Sequence, residues 1–178
     1  MKTRLSAFLS AILLTALISA SEDPFGRLGF LLGAWSGTGS GFGSDSSKIE
    51  AQYQYLMDGE YILATHDSRF EPTPSKPEGE HHMDYGIISF DKHRDKIVYR
   101  QFNIEGYVNQ YVLSDSLSTS NKLVFLTETI ENFVPGGKAR WSIEKISDDH
   151  IITSFDVSFP GKQYACFGTN ELIKIEPK

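Results

Sequence analysis

Cysteine is almost absent from this chain: among 178 residues there is one, Cys166. A single cysteine forms no internal disulfide, so the fold has to be held by its core alone. The neighbours Ala165 and Phe167 read as strand, and Cys166 itself reads as a small buried hydrophobe. A catalytic thiol would want a basic partner, and none lies nearby in the sequence. Positive charge is also scarce, with 17 Lys and Arg against 23 Asp and Glu for a net charge of −6. Such a chain is a poor partner for nucleic acid or for an anionic membrane surface. Beyond residue 20 no apolar run approaches the about 20 residues of a membrane span. From Trp35 onward no helical period lasts longer than one turn. A hydrophobic content of 40% and a charged content of 22% nevertheless belong to a globular chain, which excludes disorder, collagen and coiled coil.

The chain opens on Lys2 and Arg4, an apolar run from Ala7 to Ile18, and the small pair Ser19-Ala20 before Ser21-Glu22-Asp23. This is the order of a secretory signal cut after Ala20. The run is short for a membrane anchor, and no cysteine near the cut offers a lipid attachment point. Residues 1–20 are therefore expected to be removed, leaving 21–178 as one exported domain, periplasmic or extracellular. A chain of that length can bury a real core.

Pro24 to Leu32 predicts a short helical or 3₁₀ segment with Phe25, Leu28, Leu31 and Leu32 on one side, weak alone and in need of a surface to pack on. After it, alternating runs recur every 10–15 residues between turn residues, the pattern of an all-β sandwich or barrel. Ten strands are predicted: Ala34–Phe42, Lys48–Leu56, Tyr61–Phe70, Met83–Phe90, Lys96–Phe102, Tyr107–Leu113, Lys122–Ile130, Lys138–Ile146, Ile151–Phe159 and Gln163–Ile175. Asp58-Gly59 is a turn pair that tolerates positive φ. An open sheet of ten hairpin-linked strands tends to curl, and closure removes its exposed edges. The expected fold is a ten-stranded antiparallel up-and-down β-barrel, with the N-terminal helical segment capping one end. Side chains alone do not fill a ring that wide, so a cavity is expected inside, and a cavity of that kind suits a small ligand.

The most specific stretch is Leu31-Leu32-Gly33-Ala34-Trp35-Ser36-Gly37-Thr38-Gly39-Ser40-Gly41. Alternating Gly37, Gly39 and Gly41 leave one strand face bare, which permits a sharp bend or the close approach of a neighbour. Trp35 can plug a barrel end. A dinucleotide fingerprint is rejected, because the residue five after Gly37 is Phe42 and no helix follows. The stretch resembles the opening of nitrobindin-type haem-binding β-barrels, and its Gly33-x-Trp35 resembles lipocalin-like first strands. The resemblance implies a calycin-type barrel and, in the nitrobindin branch, a haem held by a histidine on the last strand. Here that strand, from Gln163 through Asn170, has no histidine. Haem is thus left with Tyr164 or Cys166 as substitute axial ligands, and an apolar or amphipathic organic ligand is preferred to it.

Candidate ligand-contacting residues follow from strand phase. His66 alternates with Ile62, Ala64, Ser68 and Phe70, against an equally apolar face of Tyr61, Leu63 and Thr65. Arg100 alternates with Val98 and Phe102, and an inward arginine would receive a carboxylate in its planar fork. Arg140 is assigned to solvent. Trp35, Tyr53, Tyr55, Tyr99, Tyr111, Trp141 and Tyr164 offer flat contact area with a polar tip. His81 and His82 lie among Glu78, Glu80 and Asp84 in what reads as a solvated charged loop; adjacent histidines on extended chain face opposite ways and do not share one ion. No nucleophile elbow precedes a helix, and no carboxylate pair stands out as catalytic. The sequence therefore predicts a small-ligand binder without evident catalysis. Its rivals are the haem protein and an interaction module using the loops Glu71–Glu80 and Ser114–Asn121.

Overall fold

The computed structural model describes residues 23–41, 44–74 and 76–176. The proposed signal, residues 1–20, lies outside them, as does Phe42. Ten strands form one closed antiparallel barrel in sequence order: β1 (Gly33–Gly41), β2 (Ser44–Leu56), β3 (Tyr61–Phe70), β4 (Glu80–Asp91), β5 (Lys96–Asn103), β6 (Val108–Leu113), β7 (Lys122–Glu131), β8 (Lys138–Lys145), β9 (His150–Ser158) and β10 (Ala165–Ile175). Each strand pairs with its sequence neighbour, and β1 closes the ring on β10 with Ala34 opposite Ile175 and Gly41 opposite Gly168. No helix among the described residues is long and apolar enough to cross a membrane.

Bulges bend the wall where the register slips: at Glu128 on β7, at Phe167 on β10, and where Gly39 to Gly41 of β1 meets β2. The β2–β3 turn places Asp58 at φ 55° and Gly59 at φ 91°, the conformation that this residue pair tolerates best. Two expectations need correction. β4 begins at Glu80, three residues before the expected Met83, so His81 and His82 belong to a strand and not to a loop. Pairing with β3 continues to Phe70–Glu80, and these backbone hydrogen bonds outweigh the local charge that made the segment look like a turn. Cys166 is exposed rather than buried, because the bulge beside it turns the strand.

The core occupies one half of the barrel. A 3₁₀ turn at Gly26–Leu31 packs Phe25, Leu28 and Leu31 into it, together with Trp35, Tyr53, Ile62, Ile88 and Tyr99. The fully buried Trp35 donates its indole Nε1–H to the Leu31 carbonyl at 2.7 Å, so its polar edge is satisfied in an apolar place. Glycine makes this packing possible at two points. A Cβ on Gly37 would lie 1.9 Å from the Glu171 carbonyl oxygen, so only glycine allows β1 this close to β10. A Cβ on Gly86 would lie 2.2 Å from Cε2 of Tyr99, whose ring crosses the barrel over that bare backbone.

Candidate functional site

Above this core the barrel is hollow. Tyr99 and Tyr111 stack at 5.7 Å with their planes 16° apart, and Trp141 lies over them with its ring 5.0 Å from that of Tyr99. His66 meets Trp141 at 5.9 Å. Beyond this aromatic floor opens a cavity of about 500 Å³. Its apolar lining comes from Phe70, Ile130, Trp141, Phe155 and Val157, with Tyr107, Phe133, Phe159 and Phe167 toward the rim. The rim aromatics touch in series: Tyr107–Phe133 at 5.7 Å, Phe133–Phe159 at 5.6 Å and Phe159–Phe167 at 6.2 Å. Its polar lining comes from His66, His82, Asp84, Gln101, Asn109, Thr153 and Asn170.

Strand alternation supplies both the floor and the polar lining from the same faces. On β4 the inward residues run Ile88, Gly86, Asp84, His82; on β5 they run Ile97, Tyr99, Gln101, Asn103. Gln101 Nε2 donates to Asp84 Oδ2 at 3.1 Å, and Asn109 Nδ2 donates to Gln101 Oε1 at 3.4 Å. This amide relay holds the carboxyl from one side. Burial, then the nearby Glu105 carboxylate, pushes the Asp84 carboxyl up to about 7, although the Gln101 hydrogen bond and His82 pull the other way. The His82 ring sits between the carboxylates of Glu105 and Glu80, with its edge against Phe70.

His66 is paired differently. Burial pushes the imidazole down to about 4, so it is neutral at pH 7. Its Nε2 lies 2.6 Å from the Tyr53 hydroxyl. Burial also raises the Tyr53 hydroxyl, which keeps its proton. The two neutral groups share one hydrogen bond, whose direction follows the imidazole tautomer. Tyr53→Phe removes that partner and leaves the buried His66 Nε2 unpaired, for an expected cost of about 1–3 kcal/mol. A urea titration measures it; an unchanged midpoint would mean that the pair contributes nothing.

Of the residues singled out from the sequence, His66 and Trp141 line the cavity. Trp35, Tyr53, Tyr99 and Tyr111 are buried in the core beneath it. Three lie elsewhere. Tyr55 follows the phase of Tyr53 but is 42% exposed beyond the filled end, near Phe25, with its hydroxyl donating to Asp23. Arg100 is exposed and donates to Ser89 Oγ, because the inward face of β5 is that of Tyr99 and Gln101. Tyr164 lies under the Arg140 guanidinium, which itself pairs with Asp156 at 2.8 Å. Gln101, Asn109, Thr153 and Asn170 did not stand out from the sequence, and Asp84 stood out only as one of a cluster of surface charges. Their signal is the continuation of an apolar face at the same parity by polar residues, as in Tyr99-x-Gln101-x-Asn103.

The substitute haem ligands expected from the sequence lie away from the cavity. Tyr164 and Cys166, the two substitutes on the last strand, do not line the cavity. His66 has its Nε2 engaged by Tyr53, and His82 has both ring nitrogens on carboxylates.

In fold the chain is similar to Rv2717c from M. tuberculosis, known from a crystal structure, with a TM-score of 0.62 at 15% identity over 86% of this chain and 98% of that one. Weaker likenesses are to a redesigned β-barrel, b11L5F_LGL (TM-score 0.41, 11% identity, 84% of this chain and 96% of that one), and to EF1p2_mFAP2b bound to DFHBI (0.44, 13%, 84% and 97%). No protein-family model and no curated protein matches the chain. The closed meander, shared with Rv2717c, is a lipocalin-like β-barrel fold.

Proposed function

We propose that this protein binds a small amphipathic organic molecule inside its barrel, without catalysis, and does so outside the cytoplasm after loss of residues 1–20. The observation that carries the reading is the cavity of about 500 Å³ with its mixed aromatic and polar lining. Pockets that take drug-sized ligands have this size and this mixture: a mostly apolar lining with a few placed polar groups. The 3₁₀ turn at Gly26–Leu31 acts as the cap of the opposite end, so a ligand enters and leaves past Tyr107, Phe133, Phe159 and Phe167. The opening Leu31 to Gly41 supports a place near the nitrobindin-type barrels, but the side chains in the cavity favour an organic ligand over haem.

The neutral dye N-phenyl-1-naphthylamine tests this, since its emission rises on leaving water. Mixing it with the protein is expected to give saturable enhancement. Ser68 lines the cavity from β3, and Ser68→Trp fills part of the space. That variant is expected to bind the dye at least tenfold more weakly while keeping its β-sheet circular dichroism. Dye binding that ignores the substitution would place the site outside the barrel.

A further inference from the structure

The charged groups in the cavity wall are all acidic or imidazole: Asp84, Glu105, His66 and His82, with no lysine or arginine among the described lining residues. His66 is neutral. His82 is held between Glu105 and Glu80, so whatever charge it carries is matched there by carboxylates. Asp84 is the group left over. It receives one hydrogen bond from the described residues, the Gln101 amide on Oδ2, and otherwise faces the hollow. Across the closed ring, on β8 and β9, Trp141 and Phe155 also line the hollow, and aromatic rings of this kind attract cations. An anionic ligand would meet Asp84 with no countercharge, whereas a cation would find both a counter-ion and aromatic rings.

Resting on the binding function proposed above, we infer that the ligand is an organic cation: a protonated amine on an aromatic or branched apolar body, with Asp84 as its counter-ion. The amine donates to the free side of the Asp84 carboxylate, and the body lies against Trp141 and Phe155. Glu105 stands 41% exposed nearer the rim, where it draws a cation inward. Binding is tied to pH through Asp84. The groups that bear on it are His82 and Glu80 on its own strand, His66 opposite it on β3, Tyr99 on β5, Glu105 in the following turn, and Tyr53 and Tyr111 on the floor. Only the ionised carboxylate pairs with an amine, so bound amine displaces the proton that Asp84 partly holds near pH 7.

The test is competition against bound N-phenyl-1-naphthylamine by two ligands of one shape, 2-naphthylmethylamine and 2-naphthoate, at about pH 8. The amine is expected to displace the dye at a concentration at least tenfold below that of the carboxylate. In Asp84→Asn the ratio should fall to near one. In Glu144→Gln, which removes an outer-wall charge paired with Lys122, it should stay unchanged. With wild-type protein alone, the ratio should shrink as pH falls from about 8 to about 5.5, which keeps the test valid if Asp84→Asn does not fold. Displacement by both ligands alike, or a ratio that ignores both Asp84→Asn and pH, overturns the cation and leaves the binding function standing. A dye that never binds overturns the binding function itself.

Discussion

Replacing Gly37 by alanine is expected to destabilise the protein by about 3 kcal/mol or more, because the new methyl has nowhere to go. Its carbon would sit 1.9 Å from the Glu171 carbonyl oxygen, 2.9 Å from that carbonyl carbon and 3.0 Å from the Leu172 Cα. All three are backbone, and none can swing aside as a side chain would. β1 is also pinned on its other edge, where Gly37 lies opposite Ile49 of β2. Relief therefore requires the β1–β10 ladder to part, and that ladder closes the ring. The same change at Gly29 meets nothing within 4 Å and serves as the control. Urea unfolding of both variants decides the matter. A midpoint for Gly37→Ala equal to that of Gly29→Ala would mean that the seam yields easily, and the close approach would lose its structural meaning.

The second large effect is a gain. Asp84→Asn is expected to stabilise the ligand-free protein at about pH 8 by about 1–3 kcal/mol. The wild-type carboxyl is pushed from its usual range up to about 7 in the folded state. Between about pH 4 and pH 7 the folded protein thus keeps a proton that the unfolded chain has already released. Stability contributed by this group falls as pH rises through that window, then levels off. A shift of about three units corresponds to about 4 kcal/mol at most, and the open cavity beside Asp84 reduces it. Asparagine has no such proton, so the two stability curves should meet near pH 4 and separate steadily up to pH 7. His66 has the opposite sign. Its imidazole stays neutral down to about 4, so it contributes stability that is lost as pH falls from about 6.5 to about 4. It does so in both proteins and cancels in the difference. Parallel curves from pH 4 to pH 8 would show that Asp84 is ionised throughout and would remove the pH link to ligand charge.

The architecture was legible in the sequence because the turn signals are strong. Asp58-Gly59, Glu105-Gly106 and Pro160-Gly161 punctuate runs of the right length, and each of Gly59, Gly106 and Gly161 has positive φ. Strand phase was harder. On β5 both parities carry large apolar residues, Ile97 and Tyr99 on one side, Val98 and Phe102 on the other. Alternation alone does not say which is inside, and the apolar company of Arg100 drew it to the wrong face. Tyr55 misled for another reason: its phase was right, but the strand outruns the core. The polar lining escaped because polar residues in a strand normally mean solvent. Asp84, Gln101 and Asn109 are polar toward the interior, which only becomes visible once the filled half of the barrel is known to stop at Tyr99, Tyr111 and Trp141.

The join between β1 and β10 has a consequence for how the molecule is made. Residues near the start of the domain must find residues near its end, Ala34 against Ile175 and Gly37 against Leu172. Hairpins from β2 through β10 can assemble as the chain emerges, but the final zip waits for the last strand to be synthesised. Until then two raw sheet borders stand open to other chains. Folding of this protein is thus a race between self-closure and mispairing, and a truncation that removes β10 should lose not one strand but the whole ring.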